Sequence, residues 1–251
     1  MFIDTHCHIS ADDYDDIDCL IKENYDAGVC KIIVSGCEKN NMIEVLDLSK
    51  EYSQIYVTLG FHPEYADLVS NDDLSFLEKL LKSNDKVVGI GEIGLDYHYS
   101  SDNKAKQIEL FNAQLSLAEK LNLPVVIHSR DAVQDTIDIL KKYKVKGVIH
   151  CFNGSVDVAK LYISMGYKLG IGGIVTFKNC KLSSVLSNIN LNDIVLETDS
   201  PYLTPEPYRG KINSSKYIPN IALKLSEIYN VDITDVAKIT TDEAVKLFKI
   251  I

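Results

Sequence analysis

Short apolar runs alternate with amphipathic stretches along most of the chain. Eight runs rich in β-branched residues lie at positions 1–3, 31–34, 55–59, 87–90, 124–127, 147–149, 167–171 and 194–196. The runs are mostly apolar at successive positions rather than alternating, which is typical of parallel strands that are covered on both faces. The pattern therefore predicts eight parallel β-strands separated by helical segments.

Helical spacing is clearest between the fourth and fifth runs. There, apolar side chains recur at steps of three and four residues, at Ala105, Ile108, Phe111, Leu115, Ala118 and Leu121. This spacing predicts one helix over 102–121 with a single apolar face. Beyond Pro219, two further helices are predicted, divided near Asn230–Asp232.

Eight strand–helix units in 251 residues favour one α/β domain over 1–251, a single (β/α)8 TIM barrel. A doubly wound open sheet is the alternative, because periodicity along the chain does not reveal whether a sheet closes on itself. In the barrel, the carboxyl ends of all strands meet at one mouth, where the active site is expected.

Composition and charge limit the possible partners. The 26 Lys and Arg residues against 36 Asp and Glu residues leave a net charge of −10. A broad basic surface that binds nucleic acid by counterion release is therefore excluded, and any nucleic-acid binding must be local. No apolar run approaches about 18 residues, and the first cation is Lys22. We expect a cytoplasmic monomer that does not bind membranes, with free thiols at its six cysteines.

Five of the six histidines lie at or just past the end of a predicted strand, namely His6, His8, His62, His128 and His150. His6 and His8 are two residues apart in an extended segment, so their side chains point to the same side and can bind the same ion. Cys7 points the other way and is expected in the core. The histidines therefore predict a metal site at the mouth of the barrel.

Carboxylates follow two of the same strands. Glu92 lies between two glycines after the fourth run, and Glu197 and Asp199 follow the eighth run two residues apart. We predict that Glu92 bridges two ions as a catalytic residue, that Asp199 is a ligand and the base that activates water, and that Glu197 is buried deeper on the same strand face. The predicted metal ligands are His6, His8, Glu92, His128, His150 and Asp199. This mixed nitrogen and oxygen set suits two divalent ions, either Zn²⁺ or Mg²⁺/Mn²⁺.

Only two of the 26 cations are arginines, Arg130 and Arg209, and both lie close to segments that carry predicted ligands. The planar guanidinium group suits two oxygens of a phosphate, although ordinary surface ion pairing is the alternative. His62 follows the third strand, away from the strands that carry the predicted ligands. We therefore predict that Arg130, Arg209 and His62 bind substrate phosphate.

Six blocks of the sequence, in the same order, resemble the TatD-related metal-dependent hydrolases, a branch of the amidohydrolase-like TIM barrels. The blocks lie at 4–8, 60–63, 91–97, 127–132, 150–152 and 197–203. The resemblance implies a two-metal phosphodiesterase, usually described as a deoxyribonuclease, with the same six metal ligands. The loop at 208–215 departs from the usual family pattern at Tyr208, Ile212, Ser214 and Ser215.

Three functions follow as hypotheses. The first is hydrolysis of phosphodiesters in DNA, at single strands or strand ends, because the negative net charge disfavours a long duplex tract. The second is a metal-dependent amidohydrolase or esterase that acts on a small molecule, since the same metal centre polarises carbonyl groups. The third is a metal-binding protein without catalytic activity.

Overall fold

The computed structural model describes residues 1–98 and 102–250. This part of the chain forms eight strands: β1 (Phe2–Cys7), β2 (Val29–Gly36), β3 (Ile55–Leu59), β4 (Val87–Asp96), β5 (Val125–Arg130), β6 (Gly147–Ile149), β7 (Tyr167–Ile171) and β8 (Ile194–Leu196). They lie in one sheet in the order β1 to β8. This sequential order is that of a (β/α)8 TIM barrel and differs from the doubly wound order, so the predicted fold class is confirmed.

Helices connect successive strands, and two further helices follow β8. They are α1 (Ile17–Asp26), α2 (Lys39–Glu51), α3 (Asn71–Leu81), α4 (Lys104–Leu121), α5 (Val133–Leu140), α6 (Val156–Ser164), α7 (Leu182–Leu186), α8 (Ile218–Tyr229) and α9 (Ile233–Phe248). The division between the last two helices lies where it was predicted. Asn230 ends α8 in a left-handed conformation with φ 52°, and the Asp232 carboxylate caps α9 by accepting a hydrogen bond from the Thr234 amide at 2.8 Å. Within the described residues, no helix combines the length and apolarity needed to cross a bilayer.

Packing contacts divide the chain into two compact units. The terminal unit comprises Met1–Val34 and the chain from His150 onward, and the middle unit comprises Ser35–Ile149. In the terminal unit, β1 pairs in parallel with β2, and β7 pairs in parallel with β8. In the middle unit, β3 to β6 form successive parallel pairs. That residues 1–251 constitute one domain stays a prediction.

The core of each unit is built from the apolar strand runs. Ile33 and Leu169 are fully buried in the terminal unit, as are Val57 and Ile127 in the middle unit. Burial on both faces explains why these runs are mostly apolar at successive positions. Cys7 is also fully buried, as predicted, and all six cysteines are free thiols.

The fourth strand is longer than its apolar run predicts. The pairing of β4 with β5 continues from Ile93 opposite Ile127 to Asp96 opposite Arg130. Backbone hydrogen bonds sustain a strand whatever its side chains, so polar residues can extend it. At Gly94, with φ +150°, any side chain would overlap the His128 carbonyl of β5. Glu92 therefore lies within a strand, and the prediction that it follows the strand is wrong.

Candidate metal centre

Four predicted ligands come together in the terminal unit. The Nε2 atoms of His6 and His8 lie 3.5 Å and 3.7 Å from Asp199 Oδ1. The His6 ring centroid is 5.0 Å from that of His8 and 4.4 Å from that of His150. His6 lies on β1, whereas His150 directly follows β6 and Asp199 follows β8.

The backbone after β8 places Asp199 against the end of β1. The Asp199 amide donates to the His6 carbonyl at 3.1 Å, and the His8 amide donates to the Ser200 carbonyl at 2.7 Å. Because β8 ends at Leu196 and Asp199 has φ 55°, strand alternation does not apply here. The prediction that Glu197 and Asp199 share one face of a strand is therefore wrong.

Two buried polar residues hold the turn that carries Asp199. The Asp4 carboxylate accepts hydrogen bonds from the Thr198 amide at 3.0 Å and the Thr198 hydroxyl at 2.6 Å. Burial raises the pKa of Asp4 to about 6, despite these hydrogen bonds. The Asn213 amide group donates to the Thr198 carbonyl at 2.9 Å and the Tyr202 carbonyl at 2.5 Å. No role for Asp4 or Asn213 was predicted from the sequence.

Glu197, which directly follows β8, is fully buried, as predicted. Its Oε1 atom accepts a hydrogen bond from the Cys151 amide at 2.5 Å and lies 3.8 Å from His150 Nδ1. Its Oε2 atom is buried and has no hydrogen-bond partner within the described chain. Burial raises the pKa of Glu197 to about 7, although His150 and His6 oppose the shift.

The charge state of Asp199 favours cation binding. Burial acts to raise the pKa of Asp199, but hydrogen bonding to His6 and the nearby His150 and His8 outweigh it and lower the pKa below the ordinary 3.8. Donor atoms of His6, His150 and Asp199 all lie within 4.8 Å of one another. Two imidazole nitrogens and one carboxylate form a donor set that suits Zn²⁺ and similar divalent ions. The residues of the terminal unit therefore fit a metal ion.

A second group of polar residues lies in the middle unit. The His128 ring lies between two carboxylates of β4, with Nδ1 2.7 Å from Glu92 Oε1 and Nε2 2.9 Å from Asp96 Oδ2. His62 Nε2 lies 3.9 Å from Glu92 Oε1, and its ring centroid is 4.6 Å from that of His128. The prediction that His62 lies away from ligand-bearing strands is wrong, because β3, which it follows, pairs with β4.

These contacts also set the charges of the middle group. Burial acts to lower the pKa of His128, but hydrogen bonds to Asp96 and Glu92 raise it to about 9. Burial acts to raise the pKa of Asp96, but the hydrogen bond to His128 and one from the His98 amide lower it. Donor atoms of His62, Asp96 and His128 lie within 4.8 Å of one another, so this group also fits a cation.

Asp96 is a site residue that the sequence analysis missed. It lies four residues after Glu92 on the same strand, and residues at even spacing on a strand share a face. The spacing of four residues could have indicated that Asp96 lies on the same face as Glu92. That inference requires the strand to continue as far as Asp96, which the apolar run did not predict.

The two arginines lie at the surface of different units. Arg130 is exposed at the end of β5, opposite Asp96 in the strand register. Arg209 is exposed in the terminal unit, and its guanidinium carbon lies 3.9 Å from the centroid of the Phe177 ring. This distance is that of a cation–π contact. Their role in phosphate binding stays a prediction.

The sequence model described as TatD related DNase matches residues 3–249. The chain belongs to the TatD-related DNase family. Its relatives in this family include the uncharacterized metal-dependent hydrolase YabD of Bacillus subtilis (strain 168), which is 39% identical over 255 residues that cover 100% of both chains. The uncharacterized metal-dependent hydrolase YjjV of Escherichia coli (strain K12) is 32% identical over 99% of this chain and 98% of its own length.

A crystal structure of YjjV shares the fold. It superposes with a TM-score of 0.92 at 32% identity and covers 100% of this chain and 98% of the YjjV chain. The resemblance stated from the six sequence blocks is thus confirmed. This TatD-family chain is a member of a family of metal-dependent hydrolases, and both units carry donor sets that fit a divalent cation.

Proposed function

We propose that this chain is a phosphodiesterase that hydrolyses DNA at single strands or strand ends and uses two divalent ions, Zn²⁺ or Mg²⁺/Mn²⁺. The observation that carries the proposal is the donor set of His6, His150 and Asp199, in which the carboxylate stays ionised at neutral pH. The donor set of the middle unit and the family's description as a DNase also support it.

Asp199 has the central role in this proposal. A divalent ion, when bound, lowers the pKa of a coordinated water and neutralises charge that develops on the phosphate. The ionised Asp199 carboxylate accepts the proton that the attacking water releases. Its backbone hydrogen bonds to β1 keep the carboxylate close to His6 and His8 while it does so.

Glu92 is the corresponding carboxylate of the middle unit. Its hydrogen bond to His128 at 2.7 Å and its 3.9 Å separation from His62 place it among nitrogen donors. We assign it to metal binding, as the family resemblance implies, and its two oxygens allow it to bind two ions.

Substrate binding is assigned to Arg130, Arg209 and His62. Both arginines are exposed, and each offers a planar set of donors to phosphate oxygens. Because the net charge is −10, long duplex DNA is repelled, whereas a strand end can be held by a few local contacts.

The test begins with protein purified without chelator, whose metal content is measured by mass spectrometry. The same protein is then assayed, under Zn²⁺, Mg²⁺ and Mn²⁺ in turn, on end-labelled single-stranded DNA, bis(p-nitrophenyl) phosphate, and a panel of carboxylic esters and amides. We expect bound divalent metal and cleavage of the two phosphodiesters. Cleavage confined to the esters or amides would replace the proposal with an amidohydrolase or esterase, and no cleavage by metal-loaded protein would leave a metal-binding protein.

A further inference from the structure

Helix α4 contains two glutamines that are buried although their side chains are polar. Gln107 is 3% exposed and Gln114 is fully buried. They are seven residues apart, which is about two helical turns, so both lie on the same face of the helix. Each of them bonds to the backbone near the carboxyl end of a strand of the middle unit.

Gln114 holds the backbone directly before His62. Its Oε1 atom accepts a hydrogen bond from the Phe61 amide at 2.7 Å, and its Nε2 atom donates to the Phe61 carbonyl at 3.0 Å. A single side chain therefore bonds both polar groups of one residue, as a neighbouring strand would. This pairing restricts the rotation of the peptide that leads into His62.

Gln107 holds Asp96 in the same way. Its Oε1 atom accepts from the Asp96 amide at 2.9 Å, and its Nε2 atom donates to the Asp96 carbonyl at 2.8 Å. The Asp96 side chain is also engaged at both oxygens. Oδ1 accepts from the His98 amide at 2.9 Å, and Oδ2 lies 2.9 Å from His128 Nε2.

The contact between Asp96 and His128 determines which ring nitrogen faces Glu92. With Nε2 bonded to Asp96, Nδ1 points to Glu92 Oε1 at 2.7 Å. Histidines that bind metals usually donate their other ring N–H to a carboxylate, which sets the tautomer and the orientation of the ring. Asp96 has the position and the charge for that task.

We propose that Asp96 is a positioning residue, held by Gln107, which directs Nδ1 of His128 toward Glu92, and that Gln114 positions His62 in the same manner. Helix α4 then sets the geometry of the donor groups in the middle unit without contributing a metal ligand. This inference rests on the proposed metal centre. It assigns roles to Gln107 and Gln114, which have none in the proposed function, and it gives Asp96 the role of orienting His128 rather than of binding the ion.

The test measures metal affinity as well as activity. Metal-free full-length protein is titrated with Zn²⁺ in competition with a chromophoric chelator, for the wild type and for Asp96→Asn, Gln107→Met and Gln114→Met. For Asp96→Asn we expect about a 10–100-fold weaker affinity for one of the bound ions, the usual effect of losing such a carboxylate. Gln107→Met should weaken the same ion to a smaller extent, whereas Gln114→Met, which acts on His62, should raise KM for single-stranded DNA. Far-ultraviolet circular dichroism should be unchanged in both variants.

Asn112→Ala is the matched control on the same helix. The Asn112 side chain donates to the Ile108 carbonyl and accepts from the Tyr143 hydroxyl at 2.9 Å, so it bonds to neither strand end. We expect this variant to be less stable to urea but to bind Zn²⁺ as the wild type does. An equal loss of affinity in Asn112→Ala would show a general effect on stability and would overturn the proposal.

Two further outcomes separate this inference from the proposed function. If the wild type binds no divalent ion, the proposed function fails and this inference fails with it. If the wild type binds ions and Asp96→Asn binds them within twofold of the wild type, only the positioning role is overturned.

Should Gln107→Met fail to fold, Gln107→Glu replaces it, because it keeps the acceptor for the Asp96 amide and removes the donor to the Asp96 carbonyl. Unchanged Zn²⁺ affinity in that variant would overturn the part assigned to helix α4.

Discussion

The two donor groups contain similar residues but hold them differently. In the terminal unit, the Nε2 atoms of His6 and His8 lie 3.5 Å and 3.7 Å from Asp199 Oδ1. In the middle unit, His128 lies at hydrogen-bond distance from both Glu92 and Asp96. The terminal histidines therefore lie farther from their carboxylate than His128 lies from Glu92 and Asp96.

The hydrogen bonds that hold the donor residues in place also differ between the two groups. Backbone hydrogen bonds between β1 and the turn after β8 position Asp199, with Asp4 and Asn213 bonded to the same turn. In the middle unit, side-chain amides of α4 bond to the backbone beside His62 and at Asp96. Donor sets of one chemical type can therefore be positioned either by strand geometry or by the side chains of a helix. Variants in each unit test that difference.

The largest effect is expected at Asp199. Asp199→Asn keeps the shape of the side chain but removes its ability to take a proton, so we expect turnover of single-stranded DNA to fall at least about 100-fold. Circular dichroism and urea unfolding should show a retained fold. Near wild-type turnover would contradict the role of Asp199 as the base.

Two further substitutions test whether the loss of turnover is specific to Asp199. Asp157→Asn changes an exposed carboxylate in the first turn of α6 and should leave turnover unchanged. Glu92→Gln makes the same chemical change in the middle unit. If Glu92→Gln abolished turnover while Asp199→Asn preserved it, the catalytic base would have to be assigned to the middle unit.

The next effect is on stability and concerns two glycines of the terminal unit. A Cβ atom at Gly170 would overlap Glu197 Oε2 and lie 3.1 Å from the His150 Cα atom, whereas one at Gly172 would meet Glu197 only at an ordinary 3.6 Å. We expect Gly170→Ala to lower the free energy of unfolding by about 1–3 kcal/mol, measured by urea denaturation. Gly172→Ala is the control and should lose less than about 1 kcal/mol. Equal losses in both variants would show that the crowding at Glu197 is not the cause.

A smaller effect is expected at the arginines. Arg209→Lys and Arg130→Lys keep the positive charge but lose the planar pair of donors, so KM for single-stranded DNA should rise about 3–10-fold with little change in kcat. Steady-state kinetics on oligonucleotides measures both constants. Comparison of the two variants shows whether the terminal or the middle unit contributes more to substrate binding. An unchanged KM in both would remove the arginines from the substrate site.

The smallest effect concerns an ion-pair network in the middle unit, in which exposed lysines bond to the half-buried Glu78. Hydrogen bonds from Lys120 and Lys82 lower the pKa of Glu78 from 4.5 to about 2. Because the folded-state pKa is depressed, this contribution to stability is present above pH 4.5 and is lost as the pH falls toward 2. Glu78→Gln should therefore reduce the difference between the urea midpoints at pH 6 and pH 3. Glu44→Gln, at an exposed position of the same unit, should not change that difference.

Much of the fold was predictable from apolar patterning. The runs at 55–59, 147–149, 167–171 and 194–196 coincide with strands, because burial on both faces favours apolar residues at most positions. The ends of β4 and β5 were not predictable in the same way, since their polar final residues are held by backbone pairing between the strands. Of the site, the pair His6 and His8 was predictable because their spacing alone places them on one side of a strand.

The sequence by itself determined the number of strands, their places along the chain and the presence of nitrogen and oxygen donors near the ends of several of them. Only the tertiary structure decided which donors touch. Asp96 meets His128, and Gln107 meets Asp96, because particular strands and one helix become neighbours. Periodicity along a chain reports which side of an element is buried, but a hydrogen bond depends on the relative placement of two elements that are distant in sequence.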